Sequence, residues 1–441
     1  MELSPIAITI ILFVSMFVLL TTGLPIAFVL GGIGTLSCIL LWGPSAIYMV
    51  AAKAFGATMD MMLLSIPLFV LLASILQESG MAGALYNTIH KWMGGLNGGL
   101  AAGTVLIAAV FAAMSGLAGT ATVSLGLIAL PAMLKRNYDK RMVTGAIQAG
   151  GALGVLIPPS IEMIVFCLFA KLSIGRMFMG GVFPGLLLAS FFVTYILVRC
   201  ALNPSLGPGL PAEERVGWKE KFASLRAVVL PMLVVVAVLG SIYLGIATAT
   251  ESAAVGALGA LVSAAVYRHL SWAMLKKAGF TSLRLTLMTI WILFGAYAFT
   301  ATYTALGATE VVEQALLLMP GGRWGILIGM QLTFFVLGCI LDPFGIIMIT
   351  APIYLPIVTA LGFDPIWYGV LYVMNMEMGY LTPPYGICLF YMKAIVPPSI
   401  TMVDIYRSVI PFVGLQALGL IIVAIFPQIA LWLPSRMMPT R

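Results

Sequence analysis

Two stretches carry the residue types best suited to chemistry: GGALGVLIPPS at 150–160 and MEMGYLTPPYG at 376–386. Each sets glycine ahead of a double proline inside an apolar segment. Proline withholds a backbone N–H and frees an upstream carbonyl, while glycine lets the backbone come close to a ligand. Carbonyls released in this way suit a dehydrated cation. The rest of the chain offers little to other chemistries. Cys38, Cys167, Cys200, Cys339 and Cys388 stand singly in apolar surroundings without a CxxC pair, so they read as small core residues. His90 and His269 each adjoin a lysine or arginine at the end of an apolar run, which suits a solvated interface better than a ligand set. No HExxH is present for a metal-assisted hydrolase, and no GxxxxGK[ST] for nucleotide phosphates.

The elements that must position these breaks are membrane helices. Of 441 residues, 62% are hydrophobic and 8% charged, against roughly 45–50% and ~25% in a soluble domain. Apolar runs able to cross ~30 Å of hydrocarbon as helices recur at 5–20, 24–42, 178–198, 228–247 and 409–433. The expected fold class is an all-α polytopic membrane protein. The start, MELSP, is acidic and its apolar run leads into the next one, so a retained first span is expected rather than a cleaved signal peptide. The net charge of +7 falls in short loops, where the positive-inside rule accounts for it without a nucleic-acid partner. Lys135, Arg136, Lys140 and Arg141 mark one cytoplasmic loop, Arg215, Lys219, Lys221 and Arg226 a second, and Arg268, Lys276, Lys277 and Arg284 a third. The Pro/Gly-rich, charged stretch 203–226 reads as a cytoplasmic linker between a first half, 1–202, and a second, 227–441. The segment 268–284 mixes Leu, Trp, Met and Phe with basic residues, as a helix lying along the inner membrane surface would.

The halves match at an offset of 225 residues, which carries Pro131 onto Pro356, Asp139 onto Asp364, Gly154 onto Gly379 and Pro158-Pro159 onto Pro383-Pro384. The matched loops differ in charge: LKRNYDKR at 134–141 is basic, whereas TALGFDPIW at 359–367 has no Lys or Arg. An inverted-topology repeat is the reading that reconciles the two. Ahead of each double proline, two apolar arms too short for a full crossing meet at a small or polar break. They predict re-entrant hairpins at about 100–134 and 325–358, followed by broken helices at about 143–166 and 366–392. Unwound backbone at membrane depth is tolerated only inside protein or against a wet cavity.

The run SGLAGTATVSLGLIALPAMLKRNYDKRMVTGAIQAGGALGVLIPPSI, with SIGRMFMGGVFPGLL, TGLPIAF, ATATESAAVGAL and LGFDPIWYGVLYVMNMEMGYLTPPYG, resembles the large membrane subunit of the tripartite ATP-independent periplasmic (TRAP) transporters over nearly the whole chain. The resemblance implies a sodium-driven importer of an organic anion in the bacterial inner membrane, with two or more sodium ions coupled per cycle. It implies two partners, a small membrane subunit and a periplasmic substrate-binding protein, and an elevator-type transport domain moving against a scaffold. Because the chain opens directly on the first spans, the small subunit is expected as a separate polypeptide. Many members read Ser-Gly-Ser-Ser at the first tip, where this chain has Ser115-Gly116-Leu117-Ala118. The first sodium site is then expected to use Ser115, Gly116, Thr120 and backbone oxygens around Gly150, Gly151 and Gly154. The second would use Asp342, Asn375, Gly379 and Thr382, with Asp342 alternatively a helix cap. Substrate contacts are expected from Ser115, Gly119, Thr122, Pro158, Ser160, Gly345, Pro383 and Pro384. Glu251 and Glu377 match family positions and read either as ligands or as structural acids; Glu162 is not a family feature.

No arginine lies in either break to grip an anion, so helix N-termini and backbone amides are expected to do so. If the hairpins and broken helices form one carrier, then 5–42, 228–266 and 286–305 form the fixed scaffold, and Gly31, Gly34, Gly256 and Gly259 suit sliding surfaces. A single-component sodium/dicarboxylate carrier shares paired hairpins but not the strings above. A membrane-embedded enzyme would need a nucleophile, acid pair or metal cluster that the sequence does not show.

Overall fold

Several helix starts in this chain carry side-chain caps, which matters where no water can satisfy the first amides. In the computed structural model, which describes residues 4–79, 81–116, 118–384 and 386–438, the Ser4 hydroxyl accepts from the Ala7 amide and Pro5 takes the first helical position. The chain then runs through α1 (Pro5–Thr21), α2 (Ile26–Trp42), α3 (Ile47–Thr58) and α4 (Ser65–Glu78). A short α5 (Met81–Met93) leads to the paired helices α6 (Gly99–Ser115) and α7 (Ala118–Leu134). After α8 (Lys140–Ala152), one 3-10 turn and a break, the chain resumes as α9 (Ile161–Ala170) and the long α10 (Ile174–Leu202). Next come α11 (Trp218–Tyr243), α12 (Ala249–Val266) and α13 (Trp272–Ala305).

The earlier order then recurs. A short α14 (Ala308–Leu317) leads to a pair, α15 (Gly322–Gly338) and α16 (Pro343–Ala360). An interrupted helix, α17 (Pro365–Gly379) and α18 (Ile387–Ile395), precedes α19 (Met402–Ile425) and α20 (Gln428–Ser435). Asp139 and Asp364 cap α8 and α17 in the same manner, each carboxylate accepting from two backbone amides. The fold is all-helical, with no strand among the described residues, and several of its helices are long and apolar enough to cross a membrane.

Two groups of helices pack within themselves. In one, α13 lies along α2 and α4, and α12 along α4 and α11. In the other, α8 is held by α6, α7 and α19, and α17 by α15, α19 and α10. The glycines suited to sliding surfaces lie inside the first group. A Cβ on Gly34 would fall 2.5 Å from the Ala298 carbonyl carbon and the Phe299 nitrogen, and one on Gly31 would fall 3.3 Å from the Gly295 Cα. Gly256 meets Val238 and Leu72, and Gly259 meets Val234. These residues hold α2 to α13 and α12 to its neighbours. They are seams rather than tracks.

Three boundaries differ from expectation. The run 409–433 is a helix from Met402 to Ile425 that stops at Phe426-Pro427, where proline cannot continue the ladder, before α20. The last part of the linker is helical: Trp218–Arg226 is the first piece of α11 and meets Val228–Tyr243 at a 50° bend. The basic segment 268–284 is no separate surface helix: from Trp272 it is the first part of the 34-residue α13, with Lys277 bonded to Glu78 at 2.8 Å.

One ion cluster ties the two halves together near the start of α8. Lys140 Nζ lies 2.6 Å from Asp404 Oδ2 and Arg141 Nε 3.3 Å from Asp404 Oδ1, while Asp404 also closes a capping box with Thr401. Neutralising Asp404 leaves two adjacent cations facing each other. Asp404→Asn should therefore lower the thermal unfolding temperature of the purified protein by several degrees, and an unchanged melting curve would show the cluster to be fully screened by solvent.

Candidate functional site

The junction of α6 and α7 rests on the first break. Gly116 adopts a left-handed φ of +62°, and a Cβ there would lie 2.6 Å from the Pro159 carbonyl oxygen. Gly150 and Gly151 let α8 slot between the paired helices: their Cβ positions would fall 2.7 Å from the Ala108 Cβ and 2.0 Å from the Thr122 Oγ1. Gly154 and Pro158 are buried beside them. Ser160 is buried too, and its hydroxyl accepts from the Met163 amide, capping α9. The Thr122 hydroxyl lies 3.0 Å from the Ala118 carbonyl and 3.6 Å from the Cys388 Sγ on α18, so the first pair touches the second interrupted helix. Gly119 faces the Tyr391 ring on the same helix. The side chains expected at Ser115 and Thr120, and Leu117 as a whole, lie outside the described residues.

The second break is framed in a related way. Asp342 caps α16, its Oδ2 accepting from the Phe344 amide at 3.1 Å, and the Tyr372 hydroxyl donates to the Pro343 carbonyl at 2.7 Å. Gly379 brings the end of α17 against the end of α15, its Cβ position 3.0 Å from the Gly338 carbonyl oxygen. Asn375 Nδ2 donates to the Gln331 carbonyl and Oε1, leaving Asn375 Oδ1 buried without a partner. Thr382 donates to the Met378 carbonyl at 2.8 Å, and Pro383 and Pro384 are exposed. The Pro158-Pro159 and Pro383-Pro384 bonds are cis. Gly345, expected as a substrate contact, is turned toward a neighbouring helix. Its Cβ position lies 2.4 Å from the Ile26 Cδ1, so it faces α2, where a small residue lets α16 approach.

This pairing of helix junctions with helix breaks spans most of the chain, and so does a match to one family model. Residues 13–429 fit the model described as the DctM component of the tripartite ATP-independent periplasmic transporters. The chain belongs to the TRAP transporter family, DctM component. It is 34% identical over 457 aligned residues to the C4-dicarboxylate TRAP transporter large permease protein DctM of Vibrio cholerae, covering 97% of this chain and 98% of the relative. It is 31% identical to the ectoine TRAP transporter large permease protein TeaC of Halomonas elongata, covering 84% and 86%. Among solved structures, the YdaH transporter of Alcanivorax borkumensis shares the fold, with a TM-score of 0.61 at 13% identity over 96% of this chain and 98% of that one. The relatives are transporter permeases, and this chain is a membrane transporter protein rather than an enzyme.

Three glutamates of this DctM chain take distinct places. Glu251 is a structural acid at an exposed helix start, its Oε2 accepting from the Thr248 amide at 2.8 Å in a capping box. Glu377 is fully buried on α17, with neither oxygen bonded, near Gln416 of α19. Glu162 is 1% exposed on α9; the Tyr380 hydroxyl donates to its Oε1, and its Oε2 has no partner. Tyr380 and Gln331 are site-lining residues that the motifs did not single out. The one available signal was a hydroxyl-bearing aromatic three positions ahead of Pro383 inside the second break motif.

Proposed function

We propose that this chain is the large permease subunit of a sodium-coupled importer of an organic carboxylate or sulfonate, set in the bacterial inner membrane. It works with a small membrane subunit and with a periplasmic protein that delivers the substrate. The observation that carries this reading is that each helix break is met by the end of a helix pair, Gly116 on Pro159 and Gly379 on Gly338. Such a junction gathers freed carbonyls, hydroxyls and a carboxylate where lipid cannot satisfy them, and a small hard cation is the species these oxygens suit. The first sodium ion would meet backbone oxygens near Gly150, Gly151 and Gly154; the second would meet Asp342, Asn375 and Thr382. Helix N-termini at the breaks supply partial positive charge for the anion.

Two inverted repeats would supply the paired junctions, and α6–α10 with α15–α20 would move as one carrier past a scaffold of α1, α2, α4 and α11–α13. Uptake into proteoliposomes with the partner proteins present is expected to need an inward sodium gradient. Undiminished uptake with only a proton gradient in sodium-free buffer would overturn the coupling. The carrier motion has its own test at the contact of Gly345 with Ile26. A disulfide between Ile26→Cys and Gly345→Cys, which also removes the bulk of the isoleucine, should stop uptake reversibly, with reduction restoring it. Full uptake by the crosslinked protein would mean that this contact persists through the cycle.

A further inference from the structure

The hydrogen bond between Glu162 and Tyr380 joins the two breaks, for Glu162 lies three residues past Pro159 and Tyr380 three before Pro383. It leaves an unusual deficit. Glu162 is 1% exposed and one of its oxygens has no partner. None of the ion pairs among the described residues includes Glu162. A buried carboxylate without a cation is costly to keep. Protonation lessens the deficit without ending it: the acid proton can sit on Oε1 and be donated to the Tyr380 oxygen, and Oε2 is then a buried carbonyl without a donor.

A metal ion fits the free oxygen poorly. A hard cation gathers several oxygens, whereas Glu162 offers one free oxygen; one turn along α9, Phe166 stacks on Tyr372 with ring centroids 5.7 Å apart. An organic cation asks for less, because one charge-assisted bond and contact with ring faces suffice. Resting on the transport reading above, we infer that Glu162, positioned by Tyr380, selects substrates that carry an ammonium or amidinium group as well as their acidic group. The carboxylate would accept from that cationic end. A dicarboxylate, in contrast, would bring a second carboxylate against Glu162 where a donor is wanted.

The test uses the purified complex of this chain with its small subunit, in saturating sodium, and reads the thermal unfolding temperature. Three probes are compared: succinate, 4-aminobutyrate, which has the same number of carbons with an ammoniomethyl group in place of one carboxylate, and ectoine, a cyclic amidinium carboxylate. Wild type should be stabilised by at least one of the two zwitterions and not by succinate. Glu162→Gln, which copies the neutral acid, should need about tenfold or more of that zwitterion for the same shift. Neither zwitterion shifting wild type, succinate shifting it as strongly, or Glu162→Gln matching wild type would each overturn the inference. Stabilisation of wild type by sodium alone is scored separately, since its failure strikes the coupling and not the selectivity. Should Glu162→Gln yield no stable complex, Tyr380→Phe removes only the positioning hydroxyl. It should weaken the zwitterion response, and an unchanged zwitterion response would overturn the inference.

Discussion

Gly116→Val is expected to reduce uptake to background while the protein still inserts and folds. The left-handed backbone at this position costs a residue with a Cβ about 1–2 kcal/mol, and a β-branched side chain fits it worst. The larger effect is spatial. The new Cβ would meet the Pro159 carbonyl at 2.6 Å, and that partner is backbone, held between two prolines and the cap of α9. Either the tip lifts from the break or the break shifts, and both separate the oxygens proposed to share a cation. Gly116→Ala should fall between, with the same clash and a milder backbone penalty. Sodium-driven uptake and thermal unfolding measured together decide the matter, because wild-type uptake by Gly116→Val would show that the tip does not need to seat on Pro159.

Gly34→Val should be still more damaging, and to folding rather than transport. Its Cβ would fall 2.5 Å from two backbone atoms of α13 and 2.7 Å from the Ala298 carbonyl oxygen, an oxygen that also accepts from Thr302 at 3.1 Å. Overpacking against side chains typically costs about 1–3 kcal/mol because they can rotate aside. A helix backbone cannot, so α2 and α13 must part. The same helix supplies the control: a Cβ on Gly32 would meet nothing within 4 Å. Gly34→Val is therefore expected to leave little folded protein in the membrane fraction and Gly32→Val close to the wild-type amount. Equal yields from the two would mean that the seam is not as tight as its geometry states.

The helices and their interruptions were largely legible in the sequence because both are written locally. Apolar runs declare spans and Pro158-Pro159 announces a break, although Gly150-Gly151, expected to begin it, stays inside α8, which runs to Ala152. What the pattern could not supply was partnership. Glu162 and Tyr380 are separated by 218 positions, and neither residue type nor spacing says that one bonds the other. Gly34 and Gly345 look alike in sequence, yet one seals the contact of α2 with α13 and the other faces α2 from the second helix pair. The basic residues of 268–284 suggested a surface helix, since charge reports contact with water or headgroups and says nothing about whether a helix ends there. Asp342 and Glu251 are similar acids whose places diverge only through burial and neighbours: one caps α16 in the interior and the other caps an exposed turn.

The continuity of α13 bears on how the protein is seated. Arg284 is the last charged residue of this helix, and residues 285–305 contain none. At about 1.5 Å per residue this uncharged stretch is roughly 31 Å long, close to the apolar thickness of a typical bilayer. Lys277, bonded to Glu78, fixes the preceding turns to the neighbouring α4. A membrane built from shorter acyl chains must tilt α13 or thin around it, and α2, joined to it through Gly34, must tilt as well. Lipid chain length thereby acts as a mechanical input to the frame against which the breaks would be carried.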